Sequence, residues 1–325
     1  MKYALAAAVL LATCQTATAE APRLGPPIAC AIGETCWIQQ YVDHDPSAGV
    51  LDYACGGQTY DGHDGTDIRI RDTASRADVI ASAAGTVKAV RDGVDDKLMK
   101  SSEDRAAVAR RECGNGVLID HGQGWETQYC HLRKDTIAVT AGDRVVMGQR
   151  LGEVGYSGMA AFPHVHLALR KDGRDIDPFR PAGATQQRCG IADDALWVED
   201  ARAALVYQPG AIIASGFAPG AVEKEQLESG ETAGTAPGGG WPAIVTYGWA
   251  INLQAGDEVT IELDGPDGLS AINTAKLDRA KADYMLFAGK KRPPGGWPAG
   301  RYAGRLTVRN GGTMRLVEEW DSHLP

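Results

Sequence analysis

Between residues 51 and 180 the chain is a succession of short β-type runs cut by glycines, and no other feature constrains its fold as tightly. The runs 67–70, 79–81, 86–90, 116–120, 127–131, 144–146 and 165–169 are examples. Runs of this length with glycine between them read as antiparallel β structure. Residues 93–112, VDDKLMKSSEDRAAVARREC, break the texture: they are charged, contain alanine and show no alternation. They read as an inserted loop with a short helix starting near Ser102, either a solvated segment or a lid over a groove. A second β-rich stretch follows at 244–249, 258–263, 284–287, 302–308 and 314–318. Val259, Ile261 and Leu263 alternate there with Thr260 and Glu262, and the spacing of the turns predicts a small β-sandwich.

With 325 residues the chain has room for two domains. It opens MKYALAAAVLLATCQTATAEA, in which one lysine, an apolar run over 4–12 and Ala17-Thr18-Ala19 read as an export signal cleaved after Ala19. The run is too short to span a bilayer. Cleavage would remove Lys2 and Cys14, taking the formal charge from -9 to -10 and the cysteines from seven to six. An even number in an exported chain points to disulfides and to a periplasmic or secreted location. The acidic balance argues against nucleic acid as a partner. Expected divisions are 1–19 signal peptide, 20–50 an irregular arm held to the next unit by a disulfide, 51–190 the main β domain, 191–240 a connector and flexible linker, and 241–325 the sandwich-like domain. No transmembrane segment is expected after cleavage, and the chain reads either as a monomer or as working with a regulatory or wall-binding partner.

Chemistry concentrates in three places. In FPHVHLALR, 162–170, His164 and His166 are two apart, and in a strand such residues share a face. They suit one ring on a metal and one beside it, or a buried hydrogen-bonded pair. In YDGHDGTDIRI, 60–70, His63 and Asp67 share one side if the stretch is extended, with Gly65 offering no obstruction between them. Two histidines and an aspartate suit zinc with a fourth position left for water; the bland reading is a Gly-Asp turn, and Asp61 and Asp64 read as turn acids. In TQYCHLR, 127–133, alternation places Thr127, Tyr129 and His131 on one face, with Cys130 pointing to the other. A hairpin turn around 122–124 brings Cys113 and Cys130 together and predicts their disulfide. His121 reads as structural, as do His44 and His323. Ser157 sits in a Gly-Ser turn rather than a nucleophile elbow, and no free cysteine has the surroundings of a nucleophile.

Taken together, GHDGTD (62–67), GNGVLIDHGQGWETQYCHL (114–132), AGDRVVMGQRLGEVGYSG (141–158) and PHVHLAL (163–169) resemble the lysostaphin-type (LytM-like) zinc metallopeptidases, peptidoglycan endopeptidases. The resemblance covers roughly 50–180. It implies a mainly β fold: an antiparallel β-sheet metallopeptidase domain with an active-site groove, followed here by the C-terminal β-sandwich-like domain. It also implies Zn2+ held by His63, Asp67 and His166, with His131 and His164 as catalytic groove histidines. The implied reaction is hydrolysis of peptide crosslinks in peptidoglycan by a zinc-activated water, peptide stems being the substrate. The alternative is a silent or latent wall-binding relative that regulates another murein hydrolase. The chain departs from the family in the lead-in YACGGQTYD and in the length of the insert 93–112, which bears on substrate choice and groove shape.

Overall fold

The computed structural model describes residues 20–185, 187–232 and 236–325; the expected signal peptide, 1–19, lies outside the described residues. The first unit is organised around one antiparallel sheet of eight strands. Its members are β1 (Cys36–Gln40), β2 (Thr66–Ile70), β3 (Gly85–Arg91), β4 (Asn115–Gly122), β5 (Trp125–Leu132), β6 (Arg144–Val145) and β7 (His164–Lys171), with a two-residue strand at Arg174–Asp175 beside β7. The order is β1-β2-β7-β5-β4-β3-β6. The sheet is thus closed at one side by a segment from the expected arm, which is not irregular throughout: Trp37, Ile38 and Gln39 are buried, and Cys36, Trp37, Ile38 and Gln40 pair with β2 around a bulge at Gln39. Apolar positions alternate along the strands, as with Ile68 and Ile70 or Val165, Leu167 and Leu169. These residues fill the core beneath the sheet with Tyr129, Val117 and Ile119.

Three disulfides are formed, Cys30–Cys36, Cys55–Cys189 and Cys113–Cys130. The last is the predicted cross-hairpin bridge between the start of β4 and the end of β5. The arm differs from expectation: its two cysteines bond each other, and the bridge spanning a long stretch of chain is Cys55–Cys189. The insert carries α1 (Ser102–Ala107), starting where the sequence places it. Ser101 accepts from Asp104 N–H and the Asp104 carboxylate accepts from Ser101 N–H, a capping box. Within the expected connector, 191–240, lies α2 (Glu199–Ala204).

The C-terminal β-rich region has two antiparallel sheets, one of β8 (Ala211–Ala218), β9 (Ala243–Leu253) and β12 (Lys281–Lys291). The other has β10 (Glu258–Asp264), β11 (Ser270–Lys276), β13 (Gly300–Asn310) and β14 (Thr313–Leu324). Between β8 and β9 lies α3 (Lys224–Ser229). Strand β8 lies upstream of the expected 241–325 unit yet pairs along its length with β9. Apolar residues from both sheets, among them Ala250, Leu286, Ile261 and Leu306, pack against one another. Trp297 is anchored in this interior, its Nε1 donating to the Trp241 carbonyl at 2.8 Å. Among the described residues no helix is long and apolar enough to cross a membrane.

Candidate metal centre

Strand β7 delivers two of the histidines as alternation requires. Its residues pair directly with β2, His164 opposite Arg69 and His166 opposite Asp67. Directly opposed residues of antiparallel strands share a face, so His164, His166, Asp67 and Arg69 all lie on the groove side. His63 arrives differently. Residues 60–63 form a turn, with His63 N–H donating to the Tyr60 carbonyl and Gly62 at φ +74°. The extended stretch expected over 63–67 begins only at Thr66. The turn, not a shared strand face, aims His63 at Asp67. Gly65 is required at its position: a Cβ there would stand 2.5 Å from Cε1 and Nε2 of the His166 ring.

The donors converge. His63 Nε2 lies 3.3 Å from Asp67 Oδ1 and 3.2 Å from His166 Nδ1, and His166 Nδ1 lies 2.8 Å from Asp67 Oδ1. Tetrahedral coordination at about 2.0–2.1 Å requires donor separations of roughly 3.3 Å, and the three distances approach that figure. Each imidazole has its other nitrogen engaged. His63 Nδ1 donates to the Tyr41 carbonyl at 2.6 Å, and His166 Nε2 lies 3.2 Å from Asp64 Oδ1. Such partners fix the tautomer and orient metal-binding imidazoles. The Nδ1–H to Tyr41 leaves His63 Nε2 as a lone pair, and it faces a carboxylate oxygen and a second ring nitrogen. With the His166 ring neutral and its Nε2–H on Asp64, three acceptors face one point and call for a cation between them; a proton on His166 Nδ1 is the competing occupant. Burial alone would push the His166 imidazolium down, yet hydrogen bonds to Asp64 and Asp67 raise its pKa to about 9. Burial would push the Asp67 carboxyl up, but the surrounding histidines hold it well below the usual carboxylate range. The donor set thus fits a divalent ion such as zinc.

His131 and His164 flank this triangle. Their rings lie 4.5 Å apart, and His131 lies 6.1 Å from His166. Both donate Nδ1–H to a backbone carbonyl, His131 to Ser157 and His164 to Phe162, each at 2.8 Å. Their Nε2 atoms are therefore the lone-pair nitrogens. Burial lowers both pKa values, and for His131 repulsion from His164 and His166 adds to it. The strand-face argument for His131 is corrected by the structure. His166 pairs with Cys130 and Leu167 with Tyr129, so Cys130 holds the groove-side position, while Tyr129 and Thr127 face the core. His131 reaches the groove because its backbone is left-handed, φ +64°. For a residue with a Cβ this conformation costs roughly 1–3 kcal/mol and is retained where surrounding structure holds it. Asp64, read from sequence as a turn acid, instead supports His166 and also pairs with Arg170 at 3.2 Å. Neighbouring Asp67 by only three positions was its sole signal.

Ser157 is structural, accepting from Asn115 N–H at 3.0 Å and donating to the Leu132 carbonyl at 2.7 Å. His44 bonds Asp177 at 2.7 Å, and His121 bonds the Ala84 carbonyl and the Thr127 hydroxyl, each at 2.8 Å. Asp67, His131, His164 and His166 line a cavity of about 730 Å³. Met99, Lys100 and Arg105 of the insert form part of its wall, so the lid reading of 93–112 has a geometric basis. Lys224, Trp249 and Asp283 of the C-terminal region form another part, which the sequence did not disclose.

Residues 61–178 match Peptidase family M23, a family-level homology to zinc metallopeptidases rather than to one member. The chain is similar to the Peptidoglycan DD-endopeptidase ShyA of Vibrio cholerae, 40% identical over 83 residues, 25% of this chain and 19% of that protein. It is similar to the Cell division protein DipM of Caulobacter vibrioides, 31% identical over 90 residues, 25% of this chain and 14% of that one. Among solved structures, a putative peptidase M23 from Pseudomonas aeruginosa is 28% identical, with 45% of this chain and 56% of that chain covered at a TM-score of 0.28. The chain spans about a fifth of the length of the curated relatives it matches.

Proposed function

We propose that this protein is an exported zinc-dependent endopeptidase that hydrolyses peptide crosslinks of bacterial peptidoglycan, residues 51–190 forming the catalytic unit. The observation that carries the proposal is the donor triangle of His63 Nε2, Asp67 Oδ1 and His166 Nδ1 beneath two further buried histidines in one groove. Homology over 61–178 to a metallopeptidase family supports it, as does a relative whose name specifies a DD-endopeptidase acting on peptidoglycan. The periplasm fits the export reading and the three disulfides.

His63, Asp67 and His166 would hold the ion. Bound there, zinc supplies Lewis acidity, polarising a carbonyl and bringing a water to the edge of deprotonation near pH 7. The protein's own residues do the rest. The Tyr41 carbonyl and the Asp64 carboxylate keep His63 and His166 turned toward the metal. His131 and His164, with Nδ1–H tied to backbone carbonyls, present a basic Nε2 to the groove and are neutral at the start of a cycle. One takes a proton from the attacking water, and the same or the other returns one to the leaving amine. Burial strengthens each charge–dipole contact made as the carbonyl oxygen gains charge.

The test is digestion of purified peptidoglycan by the full mature chain, with and without a zinc chelator, with muropeptides resolved by mass spectrometry. The expected outcome is loss of crosslinked dimers with release of a new amine, abolished by chelator and restored by zinc. Binding to the wall with dimers intact under zinc would instead indicate the silent, regulatory relative.

A further inference from the structure

Charge in the groove is unevenly matched. Lys100 faces Glu225 and Glu228 at 3.6 and 3.2 Å, and Lys224 faces Asp283 at 2.9 Å. Arg69 has no carboxylate within ion-pair distance among the described residues; Asp283, Glu228 and Asp72 act on it only from farther off. It is 2% exposed, lines the cavity beside His164, and bonds only neutral oxygens: the Ile70 carbonyl from Nε, Gln39 Oε1 from Nη1 and the Arg71 carbonyl from Nη2. A guanidinium carries five N–H groups. Two of them, one on each Nη, therefore have no acceptor among the described residues. Phe162 and Trp249 cover the group, each ring centroid 5.0 Å from Cζ. Trp249 comes from the C-terminal region, Phe162 from the segment entering β7.

A permanently charged group, buried with no carboxylate in ion-pair contact and only the longer-range attraction of Asp283, Glu228 and Asp72, is an expensive arrangement for a structural role alone. It becomes favourable when an anion enters the cavity. The fork geometry of a guanidinium matches a carboxylate, and charge-assisted bonds of this kind are the stronger ones. The strand register gives the distance from the reaction. Arg69 is opposite His164 and Asp67 is opposite His166, so Arg69 stands two residues along the same face from a proposed zinc ligand, roughly 7 Å away. An extended peptide advances about 3.3 Å per residue.

We propose that Arg69, clamped between Phe162 and Trp249, is a specificity residue that binds a free carboxylate of the substrate peptide about two residues from the scissile bond. The inference rests on the endopeptidase reading of this groove. It implies that amidation of that carboxylate protects a crosslink, and that the C-terminal region takes part in substrate choice by holding the guanidinium through Trp249.

The experiment compares one synthetic crosslinked peptide in two forms, free acid and carboxamide, with the full mature chain and with Arg69→Gln. For the unaltered protein, kcat/KM for the acid should exceed that for the amide on the order of 10- to 100-fold. Arg69→Gln should bring the acid down to the amide's value and leave the amide within about threefold, since only the charged contact is lost. A purely structural Arg69 would lower both substrates by the same factor, and that result overturns the proposal, as does equal cleavage of acid and amide by the unaltered protein. If the variant does not fold, the acid–amide ratio on the unaltered protein decides alone. If neither peptide is cleaved by zinc-loaded protein, the endopeptidase reading fails separately. Calorimetric binding of the two peptides to the unaltered chain then still decides for Arg69: tighter binding of the acid supports the proposal, and equal affinity overturns it.

Discussion

At the scale of single residues, the proposed function separates the three side chains that would bind the ion from the two that would move protons. His166 contributes Nδ1 to the donor triangle, so His166→Ala should leave two donors, abolish stoichiometric zinc and abolish turnover. His131 is outside the triangle, so His131→Ala should keep about one zinc per chain while turnover falls on the order of 10²-fold or more. Metal analysis and rates on both variants check the pair; a zinc-free, fully active His166 variant would end the assignment. Asp64 acts through His166 Nε2. Asp64→Asn should lower zinc affinity on the order of tenfold, read by competition with a chromogenic chelator, with zinc-saturated turnover less affected. Legibility at this scale follows backbone regularity. His164 and His166 obey strand alternation and were readable. His131 could not be placed by alternation, since a φ of +64° redirects its ring, and nothing in TQYCHLR encodes that visibly. Asp64 lies in a turn rich in acids, where spacing does not tell a capping carboxylate from one that orients a ligand.

At the scale of elements, the β4–β5 hairpin carries the site's far side, and both its devices were partly foreseeable. The Gly122–Gly124 turn positions Cys113 opposite Cys130 because the two lie at the open end of the same hairpin. The insert 93–112 was readable as a break, with a short helix starting near Ser102. Its contact with α3 was not readable, because Lys100 meets Glu225 and Glu228 more than a hundred residues away. Inside the hairpin, His121 joins the Ala84 carbonyl to the Thr127 hydroxyl, which in turn lies 3.2 Å from the Tyr129 hydroxyl. Burial lowers the His121 pKa below 6.5, despite the Ala84 bond and nearby Asp120 and Glu126. The folded state then binds fewer protons than the unfolded chain below pH about 6.5, so stability rises with pH across that window and is lost as pH falls through the folded pKa. Denaturation midpoints measured from pH 7.5 to 5 should decline, and His121→Gln, which cannot titrate, should flatten the decline. An unchanged slope would show that His121 does not contribute it.

At the scale of the whole molecule, the sequence reads as two modules, since a low-complexity stretch at 228–240 precedes a cysteine-free β region. The structure makes them one body at the groove. Trp37 of β1 packs in a cluster with Ile213, Tyr247, Trp249 and Ile251. Gln39 Nε2 donates to Asn252 Oδ1 at 3.1 Å and to the Ala282 carbonyl at 2.8 Å, while Asn252 Nδ2 donates to the Gln39 carbonyl at 3.0 Å. Arg71 Nε reaches the Ile213 carbonyl at 2.9 Å. Sequence alone could not reveal this, because apolar residues such as Trp37 and Trp249 state only that they will be buried, not against what. An interface of buried aromatics and paired amides couples the unfolding of its two sides. Calorimetry should therefore show a single transition for the full chain. Trp37→Ala should remove roughly 3–5 kcal/mol of packing, lowering the midpoint and separating the transition into two as the first unit and the C-terminal region uncouple. The same variant should weaken any preference for the free-acid peptide without touching zinc content, because Trp249 loses its support while the donor triangle does not. Two resolved transitions in the unaltered protein would show that the regions are independent, and would remove the reason for the C-terminal wall to influence the groove.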